Sequence, residues 1–421
     1  MKTMSKPQEN SQNKGRKSTR TSNRKLETVP LFDNLDDYTI DTIDAIESED
    51  DLNTIDPSLL GQAVVFGTDW TAATLIDQLR RENIKLDPIF QRRDAWNSKR
   101  KSRFIESIVL GLPIPQIVLA EAKDEKGAFL VIDGKQRLLS LQQFAGIATD
   151  SPLILSDLQL RNELDGLTYE DIQNDSKLRN YRNAFDNQPI RTVVVKNWQK
   201  EEILYLIFHR LNSESLPLSP QELRQALHPG PFLRFAAEYT QNPAGIHRVL
   251  GISKPDFRMR DVELFVRFFA FHNDVANYSG NLKAFLDTEC KQLNSKWATE
   301  EQEIRATAAE MEYAIRAAYA IFGNDAFRKF DGKAYEGRFN RAIFDIVVYY
   351  FAYEEIRELA LSSKAAVKKA YESLSKNASF RRSIETTTKS IEATRIRFTA
   401  WGQALGKALG VKLALPPIGE N

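Results

Sequence analysis

The sequence predicts an α+β protein built in series, a small mixed α/β unit followed by an all-helical one. Short β-branched runs alternate with helical apolar stripes between about residues 63 and 200. Beyond residue 201 strand-like runs stop, while helical spacing continues to the end. Ahead of both parts, residues 1–60 are polar, first basic and then acidic, with no Lys or Arg over 31–60. Such charge blocks with few large apolar groups read as a disordered tail. The expected organisation is therefore a tail over 1–60, an α/β domain over 61–228 and a helical domain over 229–421.

The elements follow in order. Ala63 to Phe66 reads as a short strand, and a helix over 71–81 follows, with Thr68 or Asp69 placed to cap it. The next helix, over 98–110, carries Phe104, Ile105, Ile108 and Val109 on one stripe and stops at Gly111-Leu-Pro-Ile-Pro. Strands over 116–120 and 128–132 flank a polar turn at 123–127. Leu138, Leu141 and Ala145 mark a helix ending at Gly146. The β-branched run Thr192 to Val195 marks the last strand, over 191–196. Helices are then expected at 201–211, 220–227, 232–239, 261–271, 281–293, 301–321, 341–361 and from 364 onward.

Composition narrows the function classes. Lys and Arg balance Asp and Glu to a net charge of +1, so a nucleic-acid surface must be local. The single cysteine, Cys290, forbids an internal disulfide and fits a reducing, cytoplasmic setting. No signal-like segment opens the chain, and the best apolar run, 346–352, is too short to span a bilayer. No membrane partner is expected. The four histidines show no zinc spacing, and no Walker loop, GxGxxG or GxSxG elbow is present.

The chemistry concentrates in Phe129-Leu-Val-Ile-Asp133-Gly134-Lys135-Gln136-Arg137. An apolar strand runs into a glycine turn and a helix opens at once, which aims backbone N–H groups and the positive helix end at one point. Gly134 admits a close ligand, Lys135 and Arg137 add cationic donors, and Asp133 suits Mg²⁺ or a ribose hydroxyl. The same letters also spell a ligand-free capping box, Asp133 with Gln136. Both readings are open at this point. A second basic cluster, Gln91-Arg92-Arg93 through Trp96 to Lys99, Arg100, Lys101 and Arg103, places Lys99 and Arg103 on one helix face and offers Trp96 for stacking. A third patch holds Arg210, Asn212, Glu222 and Arg224 around a capping box at Ser219-Pro-Gln-Glu222.

In this order the patches resemble domain-of-unknown-function family 262, which includes the N-terminal part of GmrSD modification-dependent restriction enzymes. The resemblance rests on Gln91-Arg92 and Trp96, Ser107-Ile-x-x-Gly-x-Pro-Ile-Pro115, Ile132-Asp-Gly-Lys-Gln-Arg-Leu138, Phe208-x-Arg-Leu-Asn212 and Leu218-x-x-Gln-Glu-Leu-Arg224. It extends to Arg260-Asp261-x-Glu263 and Asn340 to Asp345 in the helical part. The family hallmark is Asp-Gly-Gln-Gln-Arg; here Lys135 replaces the first Gln. The resemblance implies a ParB/sulfiredoxin-like fold for the α/β domain. It implies binding of a nucleoside triphosphate, with Mg²⁺, and its hydrolysis. Asp133 and Arg137 would do the chemistry, with Asp133 on the metal. Gln91, Arg92, Gly134, Lys135, Gln136, Asn212 and Arg224 would bind the nucleotide. It also implies DNA as a partner and a separate nuclease subunit, because no HNH-type nuclease pattern follows in this chain. Sulfiredoxin chemistry is not expected, since no cysteine sits at the glycine loop. Two other classes compete: a DNA-binding or DNA-nicking protein using the same groove, with Arg381, Arg382, Arg395 and Arg397 as a basic stripe, and a non-catalytic scaffold for a nuclease. Oligomeric state is not fixed by the sequence.

Overall fold

The computed structural model describes residues 63–86, 95–147, 151–201, 203, 204, 206, 207, 219–242, 245–386 and 388–419. The expected tail over 1–60 lies outside them. The N-terminal strand β1 (Val64–Thr71) runs longer than its apolar start predicts, and α1 (Ala72–Arg80) follows without a loop. Its cap is therefore Thr71, whose side chain accepts from the Thr74 N–H, and not Thr68 or Asp69, which stand within the strand. The strand pair β3 (Ile117–Glu121) and β4 (Phe129–Asp133) forms the expected antiparallel hairpin. β5 (Pro189–Lys196) then lies parallel to β3 and antiparallel to β1, and the two-residue β2 (Ile84–Lys85) pairs parallel with β4. The sheet order is β1-β5-β3-β4-β2.

Side chains on a strand alternate between faces, and the central strands β3 and β4 are covered on both, while the start of β1 stays exposed. Helices α1, α2 (Ser98–Val109), α3 (Lys135–Phe144) and α5 (Arg179–Asn187) pack on one another as a layer, with α4 (Tyr169–Asn174) beside α5. Phe144, Tyr169 and Phe185 join there edge to face and tilted, at 5.3–5.5 Å between ring centres. On the other face Val118, Ala120, Ile132 and Val195 pack with Trp198, Leu204 and Leu223. Leu223 belongs to α6 (Pro220–Leu227), the first described helix beyond residue 207.

The C-terminal region is helical, with one departure. α7 (Pro231–Tyr239), α8 (Gly245–Leu250), α9 (Arg260–Asp274) and α10 (Leu282–Phe322) precede a small hairpin, β6 (Arg328–Phe330) and β7 (Tyr335–Phe339). Strands therefore do not stop at residue 201 as expected. Asp331 turns this hairpin by accepting from the Lys333 and Ala334 N–H groups, and the short, basic β6 offers no apolar alternation to find it by. The two helices expected at 281–293 and 301–321 are both present: they run end to end as α10, divided by a kink at Glu300, whose φ of -119° and ψ of 16° are not helical. Conversely, the helix expected over 341–361 breaks at Tyr353 into α11 (Arg341–Phe351) and α12 (Glu354–Ser362). α13 (Lys364–Leu374), α14 (Ala378–Glu385) and α15 (Ile391–Leu409) complete the chain. Among the described residues no helix is long and apolar enough to cross a membrane; the run 346–352 is core of the helical part.

Buried charge organises that core. Arg267 grips both oxygens of Asp345 at 2.7 Å, and Arg397 approaches the same carboxylate at 3.6 Å. Asn340 caps α11, and Arg341 faces Glu263 at 3.4 Å. The landmarks 260–264 and 340–345 are thus a pair of facing helix starts. Arg397 is 1% exposed, so it belongs to this core and not to a basic surface stripe.

Candidate functional site

β4 ends at Asp133 and α3 starts at Lys135, so the whole turn is Gly134, at φ 90° and ψ 15°. This left-handed conformation suits a residue without Cβ. A Cβ there would also stand 3.0 Å from Ile117 Cγ1 and 3.3 Å from Arg137 Nε. Gly134, not Asp133, is the N-cap, and no side chain caps the helix. The capping-box reading therefore fails. Asp133 is engaged by Arg137 instead, and Gln136 Oε1 accepts from the Trp96 N–H at 3.3 Å.

The motif residues are packed against specific partners. Arg137 Nη2 donates to Asp133 Oδ2 at 2.7 Å and to the Gln116 carbonyl at 2.9 Å, while its Nε is buried without a hydrogen bond. Lys135 Nζ donates to Glu222 Oε1 at 2.6 Å, with both side chains 5% exposed. Glu222 is also the third residue of α6, where its Oε2 accepts from the Ser219 N–H in the expected capping box. Trp96, tied to Gln136, carries the Arg100 guanidinium 5.0 Å from its ring centre. The glycine turn is thus followed by two cations in the first turn of its helix, and an aromatic ring is tied to that helix.

Other expected residues lie elsewhere. Gln91, Arg92 and Asn212 fall outside the described residues. Arg224 is fully buried one turn-face away from Glu222, with its Nε on Asp287 of α10 at 2.6 Å and its Nη1 on Gln221. Lys99 and Arg103 do share a face, but both reach Asp157, at 3.9 and 2.6 Å. Lys101 is buried and donates to Gln143 of α3. This basic cluster ties α2 to its neighbours.

One histidine joins a cluster that linear spacing could not reveal. His228 Nε2 lies 3.1 Å from Glu201 and 4.0 Å from Asp287, and the ligand-capable atoms of the three lie within 4.8 Å. Lys283 and Arg224 already occupy Asp287, and Lys291 reaches Glu201 at 3.4 Å. Burial raises both carboxyls, but these cations and His228 outweigh it and hold Glu201 and Asp287 below the ordinary carboxylate range. Three protein cations on two carboxylates leave no net negative charge for a metal ion, so the cluster is an ion-pair knot. Asp133 belongs to no such trio among the described residues.

Residues 73–229, from α1 to just past α6, match the family model for the GmrSD restriction endonuclease, N-terminal domain. Over this segment the chain is similar to GmrSD-type N-terminal domains. No curated protein and no solved structure matches the chain. The matched span contains the whole glycine turn, its two cations and Glu222, while Asp287 and the rest of the helical part lie outside it.

Proposed function

We propose that the chain is a nucleoside triphosphate-binding component of a restriction-type defence system, with the glycine turn as its phosphate site. The observation that carries this is the junction itself: a helix that starts at a left-handed glycine, has no side-chain cap, and is flanked by Lys135 and Arg137. Helix starts of this kind bind phosphate through backbone N–H groups and the helix dipole. The buried, unsatisfied Nε of Arg137 abutting Gly134 fits an anion. A triphosphate would exchange with Asp133 for the Arg137 fork, leaving that carboxylate to Mg²⁺. Trp96 would stand ready to stack a base. Hydrolysis, a ParB/sulfiredoxin-like ancestry for the sheet, DNA as the target and a partner nuclease belong to the same reading, and the GmrSD-type match supports its restriction setting.

The test is titration calorimetry and thermal shift with ATP, GTP, CTP and UTP, with and without Mg²⁺. One of them should bind, and at a hundred times its Kd should add about 2.7 kcal/mol of stability. Arg137→Ala should abolish that gain. If wild-type protein binds none of the four, the phosphate site is refuted, and a DNA-backbone or scaffold role takes its place.

A further inference from the structure

Arg258 is a largely buried cation with one donor left without a hydrogen bond. It lies in the segment between α8 and α9, with its side chain 12% exposed and its Nε buried without a hydrogen bond. Its nearest carboxylate is Glu222, at 3.8 Å, which is too long for a hydrogen bond. Glu222 is already taken by better donors: Lys135 at one oxygen, and the Ser219 N–H at the other. Burial lowers the Arg258 pKa, and Glu222 and Asp256 only partly compensate.

The backbone around Arg258 is held firmly. Its N–H donates to Asp256 Oδ1 at 2.8 Å, and its carbonyl accepts from Ser219 Oγ at 2.6 Å. Asp256 is itself gripped by Arg260 at 2.8 and 2.6 Å. The next residue, Met259, is fully buried at φ 57° and caps α9 without a side-chain bond. A non-glycine residue in that region is strained, and such strain persists where the surroundings enforce it. The result fixes a guanidinium beside Glu222, and Glu222 holds the first residue of the helix that starts at Gly134. Nature seldom leaves a buried charged donor without an acceptor, and an ordered fork is a phosphate-binding group.

We propose that Arg258 is a phosphate-binding residue of the Gly134 site, supplied by the helical part, and that the terminal phosphate of the nucleotide is the acceptor its Nε lacks. The assignment rests on the nucleotide reading above. It makes the segment leading into α9 part of the site, so that occupancy is felt at the edge of the helical core.

The experiment compares full-length wild type, Arg258→Gln and Arg258→Lys by calorimetry. Each is titrated with the preferred nucleoside triphosphate plus Mg²⁺, its monophosphate, and inorganic tripolyphosphate, beside thermal melts. Arg258→Gln should weaken the triphosphate and tripolyphosphate about tenfold or more, while the monophosphate changes little. Its melt without ligand should hold or rise. Arg258→Lys keeps charge but not the fork, and should show a smaller loss in the same ratio. A merely structural role would lower the melt and leave the triphosphate-to-monophosphate ratio unchanged, which overturns the assignment. If Arg258→Gln does not fold, an unchanged ratio in Arg258→Lys overturns it equally. Wild type that binds triphosphate with both ratios intact in the variants sinks this assignment alone; wild type that binds nothing sinks the nucleotide reading as well.

Discussion

Gly134 is the residue on which the site's geometry depends. Its φ of 90° lies where a side chain is strained, and an added Cβ would press Ile117 at 3.0 Å and Arg137 at 3.3 Å. Gly134→Ala should therefore destabilise the fold by about 1–3 kcal/mol and displace the Arg137 guanidinium. Urea unfolding checks the first effect, and loss of nucleotide-induced stabilisation the second. The Lys135–Glu222 pair makes a separate prediction. Both partners are 5% exposed, so removing one leaves a buried charge. Lys135→Ala should cost about 3–5 kcal/mol, whereas joint replacement by Met at 135 and Leu at 222 should cost far less than the two single changes combined. What remains is the α6 cap, roughly 0.5–2 kcal/mol. Equal additive losses in a double-mutant cycle would show that the pair is not coupled.

At the scale of elements, α10 carries a titration. Glu289 is 3% exposed on this helix and accepts from Asn273 of α9 at 2.7 Å. Burial pushes its carboxyl from 4.5 up to about 7, against the Asn273 hydrogen bond. In the unfolded chain it ionises near 4.5, so between 4.5 and about 7 the folded state holds the extra proton. Stability contributed by this group is then full below 4.5 and declines as pH rises toward 7. The decline is roughly 1–3 kcal/mol, and Glu289→Gln should flatten the melting temperature across that range. The elements also show what could be read without coordinates. α2, α6 and the β3–β4 hairpin stand within a residue or two of expectation, because apolar spacing, caps and turn glycines are local signals. The turn at Gly134 was legible for the same reason. The break at Tyr353 and the β6–β7 hairpin were not, since packing against distant helices decides them. Lys135 with Glu222, Arg224 with Asp287, and Arg258 beside Glu222 were invisible for a related reason. Polar residues join such clusters across long sequence gaps without any periodicity.

For the molecule as a whole, α6 is the keystone. In three consecutive residues it sends Glu222 to the glycine turn, Leu223 into the sheet and Arg224 to α10. The sheet and the helical part accordingly lie in one compact unit. A fragment ending at residue 229, where the family match ends, would strip Arg224 of Asp287 and expose α6. It should melt well below the full chain and aggregate, whereas the full chain should unfold in one transition; calorimetric scans of both decide this. The sheet's wiring has a further outcome during synthesis. β1 is the first described strand, yet its partner is the last strand of the sheet, with Val64 opposite Lys196. At ribosomal speeds of about 5–20 residues per second, β1 waits on the order of ten seconds for that partner. For that interval β1 has no strand on either side, and the nascent chain depends on whatever shields such unpaired backbone in the cell.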